Sequence, residues 1–131
     1  MSQNLPALVT LLTVLLQFAT MWAVGRARER YEVKAPAVSG HPGFERALRV
    51  QMNTLEGTMM FLPVLWLASN YEDPLWAGIA GLLWIVGRVW YALAYLKDAG
   101  KRGPGFMIAM LGWAALVVMS GIGLTRAMLA G

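Results

Sequence analysis

The sequence predicts an all-α integral membrane protein, a four-helix bundle. Two observations carry that prediction. Of the 131 residues, 58% are hydrophobic and 14% charged, against roughly 25% charged in ordinary soluble domains. The apolar residues also stand in long blocks instead of alternating with polar ones, which is the pattern of membrane spans and not of a soluble core. The net charge of +4 lies beside those blocks, as in cytoplasmic loops, and this argues against a nucleic-acid partner. There is no cysteine, so the protein supplies no disulfide, thiolate ligand or catalytic thiol of its own.

Residues 5–24 form the first span. An uncharged stretch of about 20 residues crosses about 30 Å of hydrocarbon. No Lys or Arg precedes it, and it ends at Arg26, Arg28 and Arg30 instead of a small-residue cleavage site, so it is not a signal peptide. Residues 35–43, with Pro36, Gly40, Pro42 and Gly43, form an irregular loop. The second span is 53–69. Its first turn is polar, so its helix starts earlier, near 43–45, outside the bilayer. The third span is 75–96, interrupted only by Arg88, and Asp73-Pro74 sets Pro at its first helical position. Gly103-Pro104-Gly105 breaks the chain before the fourth span, 106–125.

The connections sort by charge. The basic loop 26–50 carries Arg26, Arg28, Arg30, Lys34, Arg46 and Arg49, and 97–104 carries Lys97, Lys101 and Arg102. The connection around Glu72 and Asp73 has no cation. The positive-inside rule then places both basic loops in the cytoplasm and both termini outside.

Two polar stripes mark the candidate site. Glu45, Arg49, Asn53 and Glu56 step by four, four and three residues, so a helix places them on one face. Ionisable groups at membrane depth are expensive and turn toward a partner, a cavity or a ligand. One arrangement is a ladder, Glu45 to Arg49 and Glu56 to Arg88, that fixes helix register. The other is a ligand site in which a cation, an amide and a carboxylate meet a zwitterionic, peptide-like molecule. Glu45 is assigned to the ladder; Arg49, Asn53 and Glu56 are assigned to the ligand. The second stripe is Arg88, Tyr91 and Tyr95, with Arg102 seven residues further on. Arg88 is assigned a structural role, paired with Glu56 or with backbone carbonyls. His41 has no Cys or acid cluster at ligand spacing, so no metal is expected, and a single His leaves no Ser-His-Asp triad.

The segment Phe44-Glu-Arg-Ala-Leu-Arg-Val-Gln-Met-Asn-Thr-Leu-Glu56, followed by Phe61-Leu-Pro-Val-Leu-Trp66, resembles the signature of the MAPEG family, membrane-associated proteins of eicosanoid and glutathione metabolism. Its Arg-x-x-x-Asn-x-x-Glu core stands here as Arg49, Asn53 and Glu56. The resemblance extends over nearly the whole chain, including Arg88-Val-Trp-Tyr91-Ala-Leu-Ala-Tyr95, and is closest to the glutathione transferase and leukotriene-C synthase branch. It implies a homotrimer that binds glutathione between neighbouring subunits near the cytoplasmic face. It further implies that Arg28, Arg49, Gln51, Asn53, Glu56, Tyr91 and Tyr95 hold glutathione, that Arg102 activates its thiol, and that a lipophilic electrophile arrives from the surrounding membrane lipids. Two positions depart from that branch. Gly57 stands where a ligand-contacting tyrosine is expected, and Glu29 where a second arginine would act on the lipid substrate, so leukotriene synthesis itself is not implied.

The expected activity is therefore a membrane-bound glutathione S-transferase. The alternatives are a non-enzymatic lipid-binding scaffold of the same family and a glutathione-dependent isomerase or peroxidase. A small multidrug transporter is disfavoured, because the first span lacks a membrane carboxylate. A bacterial inner membrane fits the charges and the small size, and an endoplasmic-reticulum location fits the charges equally well.

Overall fold

The computed structural model describes residues 2–131. Its four long helices are α1 (Leu5–Tyr31), α2 (Pro42–Tyr71), α3 (Pro74–Lys97) and α4 (Gly103–Ala130), and no strand is present among the described residues. The helices outrun the apolar stretches at the basic end, because the charged residues there continue the helices instead of forming loop. Pro42 and Gly43, expected in the irregular loop, open α2. His41 is its N-cap, accepting from the Gly43 N–H at 2.9 Å, and a Pro in the first turn costs no intrahelical hydrogen bond. Gly103, Pro104 and Gly105, expected to break the chain before the fourth span, likewise form the first turn of α4. Asp73 caps α3 by accepting from the Leu75 N–H, with Pro74 at the start of the helix.

The helices run up and down. Gly78 in α3 touches Leu5 at the start of α1, and Gly123 in α4 touches Tyr71 at the end of α2. At the other end Gly43 touches Tyr31, Gly105 touches Tyr91, and Arg46 donates to the carbonyl of Leu96 at 3.2 Å. Both basic connections therefore lie at one end of the bundle. α1, α3 and the segment Ala99–Ala130 are each long and apolar enough to cross a membrane. α2 runs the full length of the bundle, but its polar stripe occupies one half and only its second half is apolar.

Lipid tails are as apolar as leucine, so close backbone packing and interhelical hydrogen bonds hold such a bundle together. α3 and α4 meet at Gly87, Gly105 and Gly112, where an added Cβ would run into backbone of the facing helix. The rings of Phe61 and Trp84 stack at 3.8 Å between α2 and α3. Around Pro63, inside α2, α4 supplies hydrogen bonds: Trp113 Nε1 donates to the carbonyl of Met60 at 3.0 Å and Ser120 Oγ to that of Val64 at 3.1 Å. Leu11, Leu15, Trp22, Val86, Leu93, Leu111 and Val118 are exposed. This apolar belt is what lipid contact requires and far exceeds the exposed apolar patches of soluble monomers. The chain is an integral membrane four-helix bundle.

Candidate functional site

At the basic end α2 and α3 diverge around a cleft of about 650 Å³, within the roughly 300–1,000 Å³ of small-molecule sites. Six of the eight residues expected to act on a ligand line it: Arg49, Asn53, Glu56, Tyr91, Tyr95 and Arg102. The helical spacing explains the gathering. The α2 stripe faces α3, and Tyr91 and Tyr95 lie one turn apart on the facing side of α3. Chain reversal after Lys97 returns Arg102 to the same rim, its guanidinium 5.5 Å from the Tyr95 ring and donating to the carbonyl of Ala99. Tyr91 and Tyr95 contact each other edge to face at 5.5 Å.

Arg88 is the buried anchor beneath this cleft, 3% exposed. Neither of the partners expected for it, Glu56 or backbone carbonyls, is engaged. Nη1 instead donates to Oδ1 of Asn53 and Nη2 to Oγ1 of Thr54, each at 2.9 Å, and the guanidinium lies 4.3 Å from the Tyr91 ring. Asn53 and Thr54 are adjacent on α2, so one planar fork fits both. Glu45 makes no ion pair with Arg49 either: its Oε2 accepts from the N–H of Gly40 at 3.3 Å, and it lines the cleft mouth. Among the described residues the single ion pair is Arg126 to Glu72 at 3.1 Å, at the far end of the bundle. The charge ladder is thus absent. Arg49 and Glu56 face the cleft with no ion-pair partner among the described residues.

Arg28 and Gln51 do not line the cleft. Arg28 organises the loop between α1 and α2, donating to the carbonyls of Ala37 at 2.9 Å and Val33 at 3.5 Å and covering the Phe44 ring at 4.7 Å. Gln51 is half-buried on another face of α2. Val38 and Ser39 of that loop form part of the cleft wall, as do Leu48 and Met52. Loop residues of this kind carry no periodicity that would have marked them. No group of His, Asp or Glu able to hold a metal occurs among the described residues.

Chemically the cleft offers cations at Arg49 and Arg102, a carboxylate at Glu56, the amide of Asn53 and two phenols. That set complements a small zwitterion with more than one carboxylate. Guanidinium groups bind carboxylates bidentately, and a free carboxylate binds an ammonium.

The model of the MAPEG family matches residues 6–122. An uncharacterized protein of Synechocystis sp. is 48% identical over 113 residues, covering 86% of this chain and 82% of the relative. Microsomal glutathione S-transferase 2 of Homo sapiens is 36% identical over 123 residues, 94% of this chain and 84% of that protein. Leukotriene C4 synthase of Rattus norvegicus is 38% identical over 119 residues, 90% and 79%.

Proposed function

This chain belongs to the MAPEG family, and we propose that within it the protein is a membrane-bound glutathione S-transferase that joins the glutathione thiolate to a lipophilic electrophile. A glutathione-related function follows from the family and from relatives named as a glutathione S-transferase and a leukotriene C4 synthase. The observation that carries the finer reading is the convergence of Arg49, Asn53, Glu56, Tyr91, Tyr95 and Arg102 on one cleft.

In this reading Arg49 pairs with a carboxylate of the tripeptide and Glu56 with its amino group. The Tyr91 and Tyr95 phenols donate to ligand oxygens or to the sulfur. Arg88 acts through other groups: it holds Asn53 and the Tyr91 ring in place. A free thiol has a pKa of about 8.5, so only a few per cent is thiolate at neutral pH. A guanidinium close to the sulfur favours the anion without itself losing a proton, and Arg102 has that role. The thiolate attacks an electrophilic carbon, a C–S bond forms, and the displaced electron pair leaves with the leaving group or opens a strained ring. Holding a water-soluble nucleophile beside a lipid-soluble electrophile supplies the proximity advantage.

Arg28 and Gln51 enter through assembly. In a homotrimer with glutathione between neighbouring subunits, the neighbour contributes them, which accounts for their position outside the cleft of a single chain. The basic end faces the cytoplasm of a bacterial inner membrane and the termini face away from it, by the positive-inside rule.

The test is glutathione binding by the purified full-length protein, wild type beside Arg49→Ala, with turnover of a generic electrophilic aromatic acceptor in the same samples. Binding that requires Arg49, together with turnover, supports the transferase. Binding without turnover favours a glutathione-dependent isomerase or peroxidase. No binding favours the lipid-binding scaffold and removes the transferase.

A further inference from the structure

A second pair of concavities shares no lining residue with the polar cleft, and we propose that together they bind one anionic phospholipid of the leaflet next to the basic end. The first is an apolar groove of about 390 Å³ between α1 and α3, lined by Leu12, Leu16, Ala19, Ile85 and Val89 among others. Toward the basic end it reaches Ala23 and Leu96. The same two residues line the second concavity, about 280 Å³, whose other walls include Arg26, Arg30 and Tyr31. The apolar trough therefore continues into a cationic one.

Length and charge together specify the occupant. From Leu12 to Ala23 a helix advances roughly 16 Å, about half of a 30 Å hydrocarbon core, which is the depth of one leaflet. The groove thus suits an acyl chain of that leaflet. Arg26 stands about one helical turn beyond and Arg30 about two, at headgroup level, and no acid lines their concavity. Arg26 has no hydrogen-bond or ion-pair partner among the described residues, while Arg30 lies 5.4 Å from the Tyr31 ring. Basic pockets between spanning helices on the cytoplasmic side recognise anionic headgroups, and an interfacial tyrosine suits the same depth. A neutral lipid would leave both arginines unused. A free anion would leave the groove unused.

The experiment equilibrates the full-length protein with vesicles of phosphatidylcholine and phosphatidylglycerol in equal amounts, then measures by native mass spectrometry which lipid is retained. Wild type is expected to retain phosphatidylglycerol over phosphatidylcholine by roughly thirtyfold, since each of the two arginines near the surface contributes about fivefold to such binding. Arg26→Gln with Arg30→Gln is expected to bring the ratio close to one, and Arg26→Lys with Arg30→Lys to keep most of the preference. Ala23→Phe, at the junction of the two concavities, is expected to reduce retention of both lipids. Equal retention by wild type overturns the proposal, as does a preference that survives the double glutamine change. Competition by soluble glycerol 3-phosphate as strong as that by the lipid also overturns it, because the arginines would then serve a free anion.

Discussion

The guanidinium of Arg88 crosses from α3 to α2 and donates to Oδ1 of Asn53 at 2.9 Å. Two nitrogens of this buried cation are served by neutral acceptors while its Nε has no partner, and the carboxylate of Glu56 is left available to the cleft.

Replacing Arg88 with Met removes the charge-assisted bonds to Asn53 and Thr54 and strands both acceptors. Such bonds contribute about 1.5–3 kcal/mol each, so a loss of roughly 3 kcal/mol or more is expected, read as a lower melting temperature in detergent and as weaker glutathione binding. Arg88→Lys, with no planar fork, should fall between. An unchanged melting temperature in the Met variant would remove Arg88 as the clasp between the helices.

Arg102→Ala is expected to leave glutathione affinity nearly intact and to lower turnover at neutral pH. The sign follows from electrostatics: the guanidinium favours thiolate, so its loss raises the pKa of the bound thiol back toward about 8.5. A rise of one unit leaves about tenfold less thiolate at neutral pH. The pH–rate midpoint should therefore move upward and the variant should recover rate at alkaline pH. Identical pH profiles would take Arg102 out of the mechanism.

Arg28 offers two accounts that mixed oligomers separate. It holds the loop whose Val38 and Ser39 wall the cleft of its own chain, and in a trimer it would also reach a neighbour's ligand. Co-expressed Arg28→Ala and Arg49→Ala subunits would regain about a quarter of intact sites if the site is shared across a cyclic interface. If Arg28 acts only on its own loop, no activity returns. A measurement of active-site number in the mixture decides between them.

Gly105 and Gly121 should respond oppositely to the same change. A Cβ at Gly105 meets the backbone of Tyr91, whereas Gly121 has nothing within 4 Å. Gly105→Val is expected to cost about 1–3 kcal/mol or more through overpacking, with visible loss of folded protein. Gly121→Val should stay within about 1 kcal/mol of wild type. Equal melting of the two variants would mean that the α3–α4 contact is looser than described.

Helical arithmetic made the α2 stripe legible, because residues four, four and three apart must share a face whatever lies opposite. It also placed Tyr91 and Tyr95 together. What it could not provide is how α2 is rotated against α3. That rotation sets the partners of Arg88, for which charge and depth suggest Glu56 or backbone carbonyls and the structure gives the Asn53–Thr54 pair. The start of α2, expected near 43–45, falls at Pro42; Pro42 and Gly43 are loop-formers by composition, yet behind the His41 cap they begin the helix. Val38 and Ser39 were invisible because a loop residue becomes part of a wall only through the packing of its neighbours, here the grip of Arg28 on the Ala37 carbonyl.

The hydrogen bonds that Trp113 and Ser120 extend to α2 on either side of Pro63 bear on biogenesis. The second helix is synthesised well before the residues that complete its polar accounts, and proline has already removed one of its internal bonds. The acceptors that Trp113 and Ser120 use are the carbonyls of Met60 and Val64, next to the Met59 carbonyl whose helical donor Pro63 lacks, at a depth where water is scarce. The last helix to be synthesised is therefore the one that supplies side-chain donors to the proline-bearing middle of the second, and the first three helices alone lack them.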